Sequence, residues 1–526
     1  MKILGLPSNF GSRMCIACIA MCFVVSCATR PSKQVLLTSP SDAPCRTKNA
    51  EATDRDPHYV VVDDHGRLAY GDGQIDRIRA ELDKFKINHE TGDPEGKNRN
   101  ILVFVHGGLN PQKKAIDLAD MVSPEMEREG FFPLFLIWRT GPIETYWEQS
   151  AYVRDGWRYE EFRADTPLYW ITDIGQALVR APLIYLRQLS RVTTRAIASP
   201  GDGWALKDEK DHYEGGAVTA KNNLIFARET VDTPHRDPTD DINYFLTFPF
   251  RALASPPIDG LGKTAWENMV RRARTTVHQT AEFDPDCFVG NSLGVGGFSM
   301  IFRALSEWLR DNDPTHEFRI TLIGHSMGAI VLNELIRTYA DIEYDDIVYM
   351  GAAASIRDLS RVIVPYLRIH PSSRFYNLML HPRNEAWELT GGGAVPSGSL
   401  LEWIDEMYEP PQTMLDRTLG KWRNVRLAKD TLDLKSQEHM VFKVFGGNVD
   451  KPRKHGDFND ADTCFWNPWF WVDDNFDWAD WNSISVNNGT NQKNRDRRIS
   501  RSDFQHWEPP KDPGSLRLCQ EKMRGK

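Results

Sequence analysis

A serine flanked by glycines stands between an apolar run and a helical pattern in this 526-residue chain. Residues 320–336 read ITLIGHSMGAIVLNELI, with Ser326 at the centre. The run before Ser326 fits a short buried strand, and apolar residues from Ala329 onward recur at helical spacing. Gly324 and Gly328 allow the strand and the helix to approach closely at the turn. A serine at the tip of such a turn is accessible to a base and a substrate, so the pattern predicts a nucleophile for acyl transfer.

The base that such a serine needs is a histidine near the carboxyl end of a late strand. His455 follows the apolar run 440–445 by a short loop and fits this position. His439 precedes the same run and His370 precedes the run before it, so both would lie at the wrong ends of their strands. His381 ends that earlier run, in the slot where the acid of a triad is expected. The spacing therefore favours His455.

The acid has three candidates. Glu385 comes just after the apolar run 375–380, and Glu388 follows it by one helical turn. Asp358 follows the preceding strand pattern and is the weaker alternative. An acid at this edge would bond the second imidazole nitrogen of the base and stabilise the imidazolium as it forms. We predict Glu385 as the acid, with Glu388 and Asp358 left open.

Donors for a developing oxyanion are expected from two backbone N–H groups. One belongs to Met327, directly after the serine. The other is expected in the loop after the early strand 101–105, where His-Gly-Gly stands. We predict Gly108 as the second donor, with Leu109 as the alternative. The sequence has neither zinc-ligand spacing nor a phosphate-binding Gly-rich loop, so we expect no metal and no cofactor.

The elements that must position these residues alternate between strand and helix. This alternation predicts an α/β protein with a doubly wound, mostly parallel sheet. It stops between about residues 142 and 261, where we expect a large helical insertion. The predicted strands are 59–68, 101–105, 132–138, 320–325, 347–353, 375–380 and 440–445; the predicted helices are 74–85, 115–129, 263–277, 298–310, 329–336 and 356–367.

The order Ser326, Glu385, His455 and the motifs GHSMG, VFVHGG and KHGDF resemble the α/β-hydrolase superfamily, in its esterase and lipase-like branch. The resemblance covers about residues 59–141 and 262–460, within a predicted domain of 58–460. It implies the α/β-hydrolase fold, an acyl-enzyme intermediate and hydrolysis of an ester, thioester or amide. A glutamate rather than an aspartate in the acid slot departs from the commonest pattern.

The N-terminus reads as a targeting segment. Basic residues precede the apolar stretch 14–25, which is too short to span a bilayer and is typical of a signal peptide. It ends Val-Val-Ser-Cys27, which resembles a bacterial lipobox; the resemblance implies that residues 1–27 carry the signal and that Cys27 is lipidated. Residues 28–57 have the composition of a tether. We therefore expect a cell-envelope protein, lipid-anchored to a bacterial membrane.

Charge and cysteine content limit the partners. A net charge of −9 and a pI near 5.9 argue against nucleic acid as a partner. The hydrolase resemblance implies a small-molecule or lipid ester substrate, and the lipobox-like segment implies a membrane as partner through the lipid anchor. Four cysteines outside the signal segment allow up to two disulfides, in three connectivities: Cys45, Cys287, Cys464 and Cys519.

Two further segments carry apolar or aromatic patterns. In the segment 171–189, we expect Pro182 to divide the chain into two helices. One helical face of this segment is expected to pack on the core rather than act as a lid; it contains Ile171, Ile174, Leu178, Ala181, Tyr185 and Leu189. The Trp-rich extension 461–526 is expected to pack over the sheet edge. The alternative to an enzyme is a catalytically inactive α/β-hydrolase-fold interaction module of the cell envelope.

Overall fold

The computed structural model describes the folded part of the chain in twelve stretches: residues 58–92, 100–128, 130–154, 157–158, 162–197, 224–226, 238–278, 296–389, 395–428, 440–445, 452 and 454–459. The expected signal segment with Cys27, the tether, the four remaining cysteines and the C-terminal extension 461–526 lie outside these residues. Within them, no helix is both long and apolar enough to cross a bilayer.

A parallel sheet organises the described residues. Seven strands form it: β1 (Tyr59–Val61), β2 (Asn100–Val105), β3 (Phe131–Ile137), β7 (Arg319–His325), β8 (Asp346–Met350), β9 (Arg374–Leu380) and β10 (Met440–Phe445). A short strand, β6 (Leu224–Phe226), adds to one edge, and the order is β1-β3-β2-β7-β8-β9-β10-β6 with every neighbouring pair parallel. Strands β4 (Val153–Arg154) and β5 (Trp157–Arg158) form a separate antiparallel ribbon. The predicted α/β class with a parallel sheet is confirmed.

Helices occupy most of the chain between the strands. They are α1 (Gly73–Gly92), α2 (Gln112–Arg128), α3 (Pro142–Tyr152), α4 (Thr166–Ile197), α5 (Pro238–Leu246), α6 (Phe248–Thr275), α7 (Gly297–Asn312), α8 (Gly328–Thr338), α9 (Ile356–Asp358), α10 (Val364–Ile369), α11 (Pro382–Trp387), α12 (Leu400–Trp403) and α13 (Trp422–Ala428). Single turns of other helical types lie at Leu359–Ile363, Ile404–Tyr408, Met414–Asp416 and His455–Asn459.

The strands are buried on both faces, which explains why their sequences are continuous apolar runs rather than alternating patterns. One face packs against α1, α6, α7 and α8 and against the chain after β8. The other face packs against α2 and Phe458 of the last described turn. The carboxyl ends of the central strands therefore meet at one edge, where the predicted catalytic loops begin.

Helix α4 differs from its sequence-based prediction in two ways. It continues without interruption through Pro182. Of the six residues predicted to face the core, Ala181 is buried, whereas Ile171, Ile174, Leu178, Tyr185 and Leu189 are exposed. The opposite stripe, which includes Ala177, Ile184 and Arg191, packs inward instead. In addition, the predicted end of the insertion at residue 261 falls inside α6.

Candidate active site

Ser326 lies between β7 and α8 in a left-handed backbone conformation, with φ of 51°. This conformation is uncommon outside glycine and costs about 1–2 kcal/mol. The turn is held because the Ser326 N–H donates to the Met350 carbonyl at 2.8 Å. Gly328 is required on steric grounds, since a Cβ there would overlap the carbonyl oxygen of Val105. The predicted turn at Ser326 thus has a strained backbone, and contacts with the neighbouring strands stabilise it.

The Ser326 side chain is buried, and its Oγ has no hydrogen-bond partner among the described residues. An unpaired buried hydroxyl costs free energy that folding does not recover. A strained backbone and an unpaired nucleophilic atom at one residue are features that cluster at functional sites.

His455 lies next to this turn. Its ring packs against Gly351, the residue after β8, so closely that a Cβ there would lie 2.8 Å from the ring Cε1. Gly351 directly follows Met350, whose carbonyl binds the Ser326 N–H. Neither ring nitrogen of His455 has a hydrogen-bond partner among the described residues. The structure therefore brings Ser326 and His455 to adjacent strand ends without a hydrogen bond between their side chains.

A second histidine, His325, contacts the ring of His455. The two ring centroids are 5.2 Å apart, and His325 Nε2 donates to the His455 carbonyl at 3.2 Å. This bond places the His325 proton on Nε2. Sequence reasoning did not assign a role to His325, although it is the residue before the serine in GHSMG.

Burial controls the charge of these rings. It lowers the pKa of His455 to about 4, and burial together with the neighbouring His455 lowers the pKa of His325 well below its usual value. Both imidazoles are therefore neutral near pH 7. A neutral imidazole with a free nitrogen can accept a proton, which is the property required of a general base.

The three candidate acids occupy different positions. Glu385 is buried away from the His455 ring: its carboxylate accepts from the Ser399 hydroxyl, and burial raises its pKa well above the usual range. Glu388 meets His455, because its Oε2 accepts from the His455 backbone N–H at 2.8 Å. Asp358 caps a helical turn by accepting from the hydroxyl of Ser355 at 2.8 Å. The structure thus brings Glu388, and not Glu385, into contact with His455.

The loop after β2, which was predicted to supply an oxyanion donor, lies against the turn that carries Ser326. A Cβ on Gly107 would be 2.8 Å from the Cβ of Ser326, and one on Gly108 would be 2.6 Å from Sδ of Met327. Met327 is the N-cap of α8, where the backbone N–H has no acceptor within the helix. Leu109, the alternative donor, has a positive φ of 61°. Backbone groups of the loop after β2 and of the turn at Ser326 and Met327 therefore lie side by side.

His106 holds this loop in place, a role that sequence reasoning missed within VFVHGG. Its Nδ1 donates to the Gly107 carbonyl at 2.8 Å, and its Nε2 accepts from the Trp138 N–H at 3.2 Å. Both contacts require the neutral ring, and burial lowers the pKa of His106 to about 4. The loop is therefore tied to β3 through one buried imidazole.

The described residues contain no cluster of three or more His, Cys, Asp or Glu side chains suited to a metal ion. No family model, no curated protein and no solved structure matches the chain. The chemistry of the site must therefore be inferred from its own residues.

Proposed function

We propose that the chain is a serine hydrolase of the α/β-hydrolase fold that cleaves ester-type, including lipid-like, substrates through an acyl-enzyme intermediate. The observation that carries the proposal is Ser326, a non-glycine residue at φ 51° whose hydroxyl is unpaired among the described residues. Its N–H bonds the Met350 carbonyl, and the next residue, Gly351, packs against the ring of His455, which is neutral and has no hydrogen-bond partner among the described residues. In this proposal the helices α3 to α6 belong to the large insertion between early and late strands.

The reaction follows from these positions. Ser326 Oγ forms a bond to the acyl carbon while its proton passes to His455, and the carbonyl oxygen becomes an oxyanion. The N–H groups of Met327 and Gly108 stabilise that charge. The alcohol then leaves with the proton from His455, and a water molecule repeats the sequence to release the acid. Because Ser326 is fully buried, a substrate enters only after a local opening of the site.

We assign Glu388 as a positioning residue for His455. Its carboxylate holds the His455 backbone N–H, which supports this role over Glu385, whose carboxylate bonds Ser399. A carboxylate in this place anchors the turn that carries the base and favours the imidazolium that forms during transfer.

A fluorophosphonate probe, which reacts with activated serines, tests the proposal. The full chain should be labelled, and Ser326→Ala should abolish labelling. Ser123→Ala is the matched control, because that serine is also buried but only bonds a carbonyl within α2. His455→Ala should lower turnover of p-nitrophenyl esters by about 10²–10⁴-fold. A series of acyl chain lengths then defines the substrate class.

The alternative is an inactive interaction module of the cell envelope. It is supported by the absence, among the described residues, of any hydrogen bond to the His455 ring. Folded wild-type protein that is not labelled by the probe would favour this alternative.

We further propose that Cys27 carries a lipid that anchors the protein to a bacterial membrane. The lipobox-like segment that ends at Cys27 supports this proposal, and it lies outside the described residues. Cys27→Ala protein that still fractionates fully with membranes would argue against lipidation as the anchor.

A further inference from the structure

Helix α4 and the first half of α6 pack against each other and, in their described side chains, expose a surface without charge; Glu267 and Arg274, farther along α6, are exposed. At their contact, a Cβ on Gly260 would be 3.1 Å from the Cβ of Ala177, so the two backbones approach closely. In the described stretches 162–193 and 242–261, no exposed residue carries a charge. Six large apolar side chains there are between 64% and 78% exposed: Leu178, Val179, Leu186, Leu246, Phe250 and Leu253.

The charged residues of α4 whose side chains are described contact the folded body. Arg180 of α4 pairs with Asp259 of α6 at 3.1 Å and donates to the Met407 carbonyl at 2.6 Å. Arg191 pairs with Glu402 at 2.9 Å. This arrangement reverses the usual one, in which arginine is exposed and leucine is buried. As a result, the outer face carries no charge, and the arginines form their ion pairs and hydrogen bonds on the inner face.

We propose that this surface, the outward faces of α4 and of α5–α6, docks the protein on a lipid bilayer by entering its apolar layer. Protein interfaces carry a polar rim and are enriched in arginine, whereas this surface has no exposed charge over residues 166–193 of α4, the part of that helix whose side chains are described. That helix is about 48 Å long, so the apolar face exceeds what a soluble monomer normally exposes.

The helices lie on the membrane rather than across it. No described helix meets the requirements for a span, and one side of α4 is occupied by arginine contacts to the folded body. An apolar face opposite a protein-bound face is the arrangement of a helix lying in the interface plane. Because the surface carries no charge, its binding gains nothing from anionic lipid and is insensitive to salt.

Helix α6 connects the docking surface to the candidate active site. It begins in the exposed apolar face, and its buried Met269, six residues before the helix ends, has Sδ 3.4 Å from the position of a Cβ on Gly108. Docking would therefore hold the loop of Ser326 near the membrane. The proposal goes beyond the hydrolase activity and does not depend on it.

Photocrosslinking on the full chain tests whether lipid contacts this surface. Benzoylphenylalanine replaces Leu178 or Phe250, and the protein is irradiated with phosphatidylcholine vesicles. Controls carry the same group at Met121 or Ile369, apolar residues that are 55% and 66% exposed on other helices. We expect lipid adducts at residues 178 and 250 and none at the controls. Adducts with another part of the chain, adducts with a second copy, or no adducts would each overturn the proposal.

A charge-substitution series provides a second measure. Leu178→Asp with Leu253→Asp should lower the lipid-adduct yield from residue 250 by roughly tenfold or more, because a carboxylate opposes entry into hydrocarbon. Met121→Asp with Ile369→Asp should leave the yield unchanged. Both pairs alter exposed side chains, so thermal unfolding should stay close to wild type. Equal yields from the two pairs, or a yield that rises with anionic lipid and falls with salt, would overturn docking by an uncharged surface.

Discussion

Gly351→Ala tests the position of His455 with a small perturbation. Gly351 has φ of 53°, and an added Cβ would lie 2.8 Å from Cε1 and 2.9 Å from Nδ1 of the His455 ring. The left-handed conformation costs alanine about 1–2 kcal/mol. In addition, the ring must move by roughly 0.6 Å to reach ordinary contact at 3.4 Å. A base displaced on this scale loses alignment with Ser326, and a misplacement near 1 Å costs about 10²-fold in rate.

Gly71→Ala is the matched control. Gly71 also has a positive φ, of 69°, but an added Cβ there would have nothing within 4 Å. Gly71→Ala should therefore lose about 1–2 kcal/mol of unfolding free energy, measured by urea titration, and Gly351→Ala should lose at least as much, because its Cβ also displaces the His455 ring. Ester turnover separates them: kcat/KM should fall about ten- to a hundredfold for Gly351→Ala and less than twofold for Gly71→Ala.

The comparison has a clear negative outcome. If Gly351→Ala folds, loses at least as much stability as its control, and keeps kcat/KM within twofold of that control, the ring beside Gly351 does not transfer the proton. The assignment of His455 as base would then be wrong, whatever the labelling of Ser326 shows.

Three further predictions concern the neighbours of this ring. Glu388→Gln should lower kcat/KM by about tenfold, because it weakens the bond that anchors the His455 backbone N–H. Glu385→Gln should keep kcat/KM near wild type, because burial raises the pKa of Glu385 and the amide resembles its protonated form. The reverse result in parallel ester assays would restore Glu385 as the acid. Because the pKa of His455 is about 4, kcat/KM should stay constant as the pH is lowered to near 5, and a midpoint near pH 7 in the rate profile would contradict a buried base. The free energy of unfolding should fall as the pH drops from 6.5 through 4, since the folded protein binds fewer protons in this range than the unfolded chain. His106→Ala should cost about 2–4 kcal/mol in urea unfolding, because it leaves a cavity and an unpaired Trp138 N–H, and a loss below 1 kcal/mol would show that the ring does not hold the loop.

Local sequence patterns were sufficient for the position of seven strands and for the turn at Ser326. The predicted strand 59–68 is shorter in the structure, at Tyr59–Val61, the predicted strand 347–353 is Asp346–Met350, and β4, β5 and β6 were not predicted. Met440–Phe445 was predicted with its observed bounds, because a strand buried on both faces requires an uninterrupted apolar run. The turn at Ser326 was equally readable, since Gly324 and Gly328 are needed wherever strand and helix meet that closely. These features depend on neighbours in sequence, so a single sequence contains the information.

Other features depend on distant contacts. Glu385 and Glu388 are three residues apart, and only the packing of Ser399 against one and of the His455 turn against the other distinguishes them. Pro182 remains inside α4 because contacts along the whole helix outweigh one lost hydrogen bond.

The sequence by itself determined the α/β class, the approximate positions of the main strands and the serine at the turn, because periodicity and glycine sterics act locally. Only the tertiary structure decided which carboxylate meets His455, that three histidines are buried and neutral, and that the arginines of α4 face inward while its leucines face outward. Helical periodicity shows that a helix has an apolar face, but it does not show toward which surroundings that face turns. The contacts that orient α4 include the Arg180 bond to the Met407 carbonyl and the Arg191–Glu402 ion pair, both formed with residues more than two hundred positions away.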